Sequence, residues 1–221
     1  MMIGLTARDG HRLDGWLERP VGSPRGGLVI AQEMYGLTDY LRDTCAFYAR
    51  HGYLTVAPAL YDRQQRSLVL SYTPADHDLA QSIYTTWDWE TALDDLDAGK
   101  AAVASAGKVG IVGFCWGGSL AWLAACRREY AASAPWYGSR MPDFADDVPR
   151  CPVHAQVGDE DATMPPDRMA HFFEMRPEVP VTMHPGARHG FDNPIRPGRW
   201  HEAASRKARA ETLELLRRHV G

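Results

Sequence analysis

The sequence predicts an α/β fold: a mostly parallel central sheet with helices on both faces and an antiparallel edge at the N-terminus. Three observations predict it. Short apolar runs alternate with stretches of helical spacing along most of the chain, as a parallel sheet covered on both faces requires. The two strand-like runs at the N-terminus meet at Asp9-Gly10, a hairpin signal rather than a crossover. The residues able to do chemistry fall just after apolar runs, where open α/β sheets gather their sites.

The elements follow in order. Ile3–Ala7 and Arg12–Arg19 form the hairpin, with Leu13, Gly15 and Leu17 alternating against polar neighbours. Gly27–Gln32 is a buried strand that stops at Glu33-Met34-Tyr35-Gly36. Thr38 or Asp39 caps a helix with Leu41, Cys45 and Tyr48 on its apolar face, ending at Gly52. Tyr53–Ala57 is a short strand, followed by a Pro-containing loop. Pro74 to about Gly107 is helical, in two pieces divided near Trp87. Beyond the strand and helix around Cys115, Ala131–Tyr137, Pro152–Val157 and Val179–His184 are strands and Arg168–Met175 is a helix. Trp200–His219 closes the chain as an amphipathic helix with Leu213, Leu216 and Val220 on one face. No repeat or linker divides the chain, so residues 1–221 are expected to form one domain.

The stretch that organises the rest is Lys108–Leu120. A strand (Val109, Ile111, Val112) runs into Gly113-Phe114-Cys115-Trp116-Gly117-Gly118 and then into an apolar helix. This is Gly-x-nucleophile-x-Gly, the strand-to-helix elbow of the α/β-hydrolases, with cysteine where serine is usual. A nucleophile projected from so sharp a turn sits in strained backbone, and bulk at Gly113 or Gly117 would collide with strand and helix. The helix N-terminus after Trp116 aims its free N–H groups at the sulfur and favours thiolate.

Composition narrows the function classes. The net charge is −4 and the 24 Lys and Arg residues are spread along the chain, so no nucleic-acid partner is expected. No apolar run approaches a membrane span and the first residues lack a signal core, so no membrane partner is expected either. Four scattered cysteines without a C-x-x-C pair fit reduced thiols and a cytoplasmic protein. There is no Walker sequence, and Gly110, Gly113, Gly117 and Gly118 do not make G-x-G-x-x-G. His184 and His189 lack a third ligand, so neither metal nor cofactor is expected.

Four groups fall at predicted strand ends: Glu33, Cys115, the pair Asp159/Asp161, and His189. Nucleophile, acid, histidine is the chain order of an α/β-hydrolase triad. Cys115 would attack a carbonyl, His189 would manage the proton, and one of the aspartates would orient the imidazole. Backbone N–H groups of Met34 and Trp116 are placed to form an oxyanion hole. Glu33 fits either this site or a cap on the helix that follows.

These motifs resemble the dienelactone hydrolase family. The resemblance is carried by Gln32–Gly36, Ala57–Arg63, Asp88-Trp89-Glu90, Gly113–Gly118, Trp136-Tyr137-Gly138, Gly158–Asp161 with Pro165, and His189-Gly190-Phe191. It implies a triad of Cys115, Asp161 and His189, the aspartate chosen by its spacing to Pro165. It implies that Glu33 pairs with the resting thiol until substrate displaces it. It also implies two arginines for a substrate carboxylate, but the corresponding positions are His77 and Asn193. A neutral ester or lactone is therefore expected as substrate, unless Arg196 or Arg63 supplies the missing cation. Tyr35, Tyr84, Trp136, Tyr137 and Phe191 are expected to wall the pocket. The leading expectation is a cysteine hydrolase of a small ester or lactone, as a monomer or weak homodimer. Acyl transfer by the same triad and a non-catalytic small-molecule-binding fold are the alternatives.

Overall fold

The apolar runs become eight strands of one sheet in the computed structural model, which describes all 221 residues. β1 (Met2–Thr6) and β2 (Arg12–Glu18) form the antiparallel hairpin, with Gly10 at positive φ in its turn. β2 also runs antiparallel to β4 (Tyr53–Pro58). Every later pairing is parallel: β4 with β3 (Gly26–Ala31), and β3 with β5 (Val109–Phe114). β6 (Ser133–Trp136), β7 (Ala155–Gly158) and β8 (Val181–His184) extend the sheet in turn. The order across the sheet is β1-β2-β4-β3-β5-β6-β7-β8.

Five helices lie between strands, α1 (Asp39–Arg50), α2 (Pro74–Thr85), α3 (Trp89–Val103), α4 (Trp116–Arg127) and α5 (Pro166–Met175), and α6 (Glu202–His219) follows the last one. Strand parity assigns their faces. A Cβ at Gly27 would strike Val103 of α3, and one at Gly113 would strike Gly117 and Ala121 of α4. Gly110 points the other way, against Leu216 of α6 and Val220. The central strands are thus sandwiched, and β3, β4 and β5 are buried at every position. That is why they read as unbroken apolar runs. Leu213, Leu216 and Val220 are buried as the amphipathic pattern of α6 requires.

The helical stretch after Pro74 breaks at Thr86–Asp88, where the Asp88 carboxylate accepts from the Glu90 N–H at 3.0 Å and opens α3. Two strands are shorter than expected. β6 begins at Ser133 rather than Ala131, and β7 begins at Ala155, with Val153 making only an isolated bridge to Ser133. Pro152 has no N–H for the ladder, which limits pairing ahead of β7. No helix is long and apolar enough to cross a membrane.

The strand order places the chemistry. From β3 the chain moves to β4 on one side, then returns through α3 to β5 on the other. The order therefore reverses at β3 and β5, where open α/β sheets leave a crevice. Ala31 pairs with Gly113, so Gln32–Gly36 and Cys115 leave the sheet side by side.

Candidate active site

Cys115 stands between β5 and α4 with φ 57° and ψ −116°, a backbone conformation that costs a non-glycine residue roughly 1–3 kcal/mol. Two hydrogen bonds hold it there. The Cys115 N–H donates to the Trp136 carbonyl at 3.0 Å, and the Gly117 N–H donates to the Gln32 carbonyl at 3.0 Å. The glycines are obligatory. A Cβ on Gly113 would lie 1.9 Å from the Gly117 carbonyl oxygen, and one on Gly117 would lie 2.2 Å from that of Ala31. Trp116 is the first residue of α4, so its N–H has no partner within the helix, and the Met34 N–H has none in the protein. Both residues line the cleft that contains Cys115.

His189 comes from the loop after β8 and Asp161 from the loop after β7. Gly158 pairs with His184, so the two loops leave the sheet together. The His189 Nδ1 lies 2.8 Å from the Asp161 Oδ2, and both side chains are buried. Thr163 donates its N–H (2.8 Å) and hydroxyl (2.7 Å) to the other carboxylate oxygen, and its hydroxyl also lies 3.0 Å from Nδ1. Burial raises the Asp161 pKa, but the bonds from His189 and Thr163 outweigh it and hold the carboxyl below its ordinary range. For His189, burial pulls the pKa down, but negative charge on Cys115 and the bond to Asp161 push it up to about 10. Asp159 points elsewhere. Its carboxylate accepts from the Gly186 N–H at 2.7 Å and fixes the turn after β8.

Glu33 is buried beside these groups without a hydrogen bond to Cys115. Its Oε2 accepts from the Asn193 amide at 2.9 Å and from the Tyr72 hydroxyl at 3.4 Å. Its Oε1 faces Arg196 Nη1 at 4.0 Å and accepts no hydrogen bond. Burial raises its pKa, against the opposing pull of Arg196, Asn193 and His189. Asn193 and Tyr72 thus occupy one oxygen of the carboxylate, and the other is left without a hydrogen-bond donor.

The cleft has a volume of about 500 Å³. Cys115, His189, Met34, Trp116, Tyr84 and His77 line it, together with Arg196, Arg140 and Arg168 at its cationic wall. Arg140 and Arg168 share the Asp143 carboxylate. Tyr35 lines an adjoining hollow of about 350 Å³ with Tyr72, His77 and Arg196, and its hydroxyl lies 3.0 Å from His77 Nδ1. The rest of the expected aromatic wall lies behind the site. Trp136 and Phe191 stack at 5.7 Å between ring centres and are wholly buried, and Trp136 donates its indole N–H to Thr212 of α6. Tyr137 is also wholly buried and packs edge-on against His189, 5.2 Å between centres, so it backs the imidazole. Asn193, expected at the substrate, is spent on Glu33.

Two arginines were candidates for the missing cation. Arg63 is bound to Asp95 by two bonds of 2.7 Å and to Asp9 at 2.8 Å, well away from the cleft. Arg196 does reach the site. Its guanidinium lies over the rings of Tyr35 and Tyr72 at 5.6 and 6.0 Å, and its Nη1 makes no hydrogen bond. Of the two, Arg196 is therefore the one that brings a cation to the cleft. Sequence reasoning also missed Thr163 and Tyr72; Asp-Ala-Thr is a turn signal that points to the first, and nothing local points to the second.

The loop after β8 is pinned from beneath by Asp192. This buried carboxylate accepts from Tyr40 of α1 (2.8 Å) and, on α6, from Ser205 (2.5 Å) and Arg209 (2.8 and 2.6 Å). A larger hollow of about 600 Å³ beside His154, Glu178 and Glu211 contains none of the groups around Cys115.

The comparisons with known proteins agree with this architecture. The model of the dienelactone hydrolase family matches residues 13–220. A carboxymethylenebutenolidase from Pseudomonas putida is 31% identical over 201 residues, covering 86% of this chain and 84% of its own. Carboxymethylenebutenolidase 1 from Cupriavidus pinatubonensis is 29% identical over 224 residues, covering 97% and 95%. Among solved structures, a Klebsiella pneumoniae dienelactone hydrolase candidate superposes with a TM-score of 0.85 at 24% identity, covering 99% of this chain and 100% of its own. A dienelactone hydrolase-like promiscuous phosphotriesterase from metagenomic libraries gives 0.80 at 21%, covering 100% and 99%. At those identities the structures attest the shared fold, and the family match over nearly the whole chain attests more: this protein belongs to the dienelactone hydrolase family.

Proposed function

We propose that the protein hydrolyses a small carboxylic ester or lactone through an acyl-enzyme formed on Cys115. The observation that carries this reading is a cysteine at a strained strand-to-helix elbow, sharing one cleft with a hydrogen-bonded His189–Asp161 pair. His189 takes the thiol proton, and Asp161 accepts from Nδ1 and stabilises the imidazolium. The sulfur attacks the carbonyl carbon, and the oxygen gains negative charge between the Met34 and Trp116 N–H groups. One such donor is worth about 2.7–4 kcal/mol. Collapse breaks the acyl–oxygen bond, and the leaving alkoxide takes the proton from His189; from a lactone it stays attached as a hydroxyl. Water then gives a proton to His189 and attacks the thioester, releasing acid and the Cys115 thiolate.

The family and the named relatives support the ester and lactone class, since a butenolide is an unsaturated lactone. Arg196 lets an acidic group on the substrate enter the cleft, which replaces the expectation of a strictly neutral one. The test is brief reaction with 4-nitrophenyl acetate, acid quench and peptide mass spectrometry. Acetyl should be found on Cys115, and Cys115→Ala should release no nitrophenol above background. A Cys115→Ala enzyme with wild-type turnover would sink the reading.

A further inference from the structure

We infer that Arg140 and Arg168 form a second acid-binding subsite in the cleft, so that the substrate carries an acidic group on each side of its scissile bond, one met by this pair and the other by Arg196. This rests on the ester and lactone reading and narrows it to doubly acidic substrates.

The strand order sets the cations apart. Arg196 meets Glu33 and Tyr35, which follow β3. Arg140 follows β6, and Arg168 lies in α5, after β7. Cys115 follows β5, which stands between β3 and β6 in the sheet. A substrate carbonyl over the sulfur therefore has one guanidinium toward β3 and two toward β6 and β7, all lining the same cleft. No side chain bonded to Arg140 or Arg168 is also bonded to Arg196.

Each arginine of the pair is fixed to an element of the site. The Arg140 N–H donates to Ser119 Oγ at 3.0 Å, one turn into α4 from Cys115. Arg168 Nη1 donates to the Thr163 carbonyl at 3.1 Å, and Thr163 in turn holds Asp161. Between the two stands Asp143, which takes Arg140 Nε on one carboxylate oxygen and Arg168 Nη2 on the other. A carboxylate is thus what the pair already grips. One carboxylate against two guanidinium groups leaves a net positive charge, and only Nε of the Arg140 side chain is bonded. Its two terminal nitrogens, a fork that matches a carboxylate, face no acceptor in the protein. Tyr84 adds a neutral donor: its hydroxyl is buried without a hydrogen-bond partner, a state that calls for an acceptor. The Tyr84 ring packs edge-on against Trp89 at 6.3 Å, and Trp89 against Phe144 at 5.2 Å, which places it at the Asp143 end of the cleft. Arg140, Arg168 and Asp143 are 48%, 34% and 33% exposed, so water screens them and each charge is worth about two- to fivefold in binding.

The experiment is kcat/KM on four phenyl esters, whose ring carries carboxylate or carboxamide and whose acyl chain ends in carboxylate or carboxamide. Each variant is read as its ratio to wild type on the same ester, so intrinsic reactivity cancels. Relative to the neutral ester, Arg140→Gln with Arg168→Gln should lose on the order of tenfold where one end is acidic, and less than about twofold where only the other is. A loss through the Thr163 bond falls on all four esters and divides out. Arg196→Leu should show the converse preference between the ends. Asp143→Asn removes the internal competitor and should speed the esters that the double variant slows, by about two- to fivefold. Raising the salt from about 20 mM to about 500 mM should erase that gain. The subsite is refuted if the double variant treats all four esters alike, if both sets of arginines act at the same end, or if Asp143→Asn does not speed the acidic esters. Hydrolysis of none of the four beyond Cys115→Ala defeats the ester reading itself, and the subsite with it.

Discussion

Replacing Asp161 by asparagine changes one atom and should disable the site in a way the hydrogen bonds dictate. Thr163 donates both its N–H and its hydroxyl to Oδ1. An amide at this position must keep its oxygen there, so its NH₂ group takes the place of Oδ2 and faces His189 Nδ1 at 2.8 Å. A donor now meets the nitrogen that should donate. The imidazole is forced to carry its proton on Nε2, toward Cys115, where it cannot accept one, and the imidazolium loses its counter-charge. A charge-assisted hydrogen bond is worth about 1.5–3 kcal/mol, or roughly 10- to 150-fold. The inverted tautomer adds to this, and the serine-protease template loses about 10⁴ in kcat. Asp161→Asn should therefore fall between about 10² and 10⁴ in kcat/KM on 4-nitrophenyl acetate. Asp159→Asn, which touches only the Gly186 N–H, should stay within about threefold of wild type, since exposed turn positions tolerate such changes. Circular dichroism checks that both are folded. If Asp161→Asn keeps a fifth of wild-type activity, or Asp159→Asn is the more damaged, the reasoning is wrong.

Two further predictions concern charge. Arg196→Leu should raise KM for an ester bearing a carboxylate by roughly 10- to 150-fold while changing a neutral ester of the same size little, because the guanidinium offers an unpaired Nη1; equal losses on both would refute a charge role. The His189 pKa, pushed up to about 10 chiefly by Cys115 against the pull of burial, should fall in Cys115→Ala, where burial remains and the sulfur charge is gone. NMR titration of the ring should show no protonation step between pH 6 and 8.5 in wild type, and a step at lower pH in the variant. The sign is fixed: a raised histidine pKa contributes stability below its unfolded value near 6.5, and that contribution is lost as pH rises through about 10.

The fold was legible because burial leaves a simple trace. β3, β4 and β5 are covered on both faces, so their apolar runs stand out, and the elbow glycines are demanded by contacts of 1.9 and 2.2 Å that no side chain survives. The start of β7 was misplaced because hydropathy continues back to Pro152, which has no N–H to give the ladder. The placement of the candidate residues was legible wherever one follows a strand, as Cys115, Asp161 and His189 do. It was illegible wherever a loop folds back on itself. Between Gly190 and Arg199 three successive turns, Asn193 to Gly190, Arg196 to Asn193 and Arg199 to Arg196, coil the chain so that Arg196 reaches the cleft. Counting along the sequence from His189 lands on Asn193 and cannot register that coil. The aromatic wall failed for a related reason: Trp136 and Phe191 are identified as buried by their type, but type does not tell the lining of a cleft from the packing behind it.

The Asp192 anchor has a consequence for synthesis. The strained turn at Cys115 needs only β3, β5, β6 and α4, all of which have been translated by Trp136. The loop with His189, Asn193 and Arg196 is fastened by Ser205 and Arg209 of α6, which is translated after all of these elements. A growing chain can therefore assemble the elbow before His189 is translated, and on the proposed mechanism the sulfur should become reactive only when α6 docks. Ribosome-stalled chains ending before and after Arg209 would differ in thiol reactivity though both contain the complete triad.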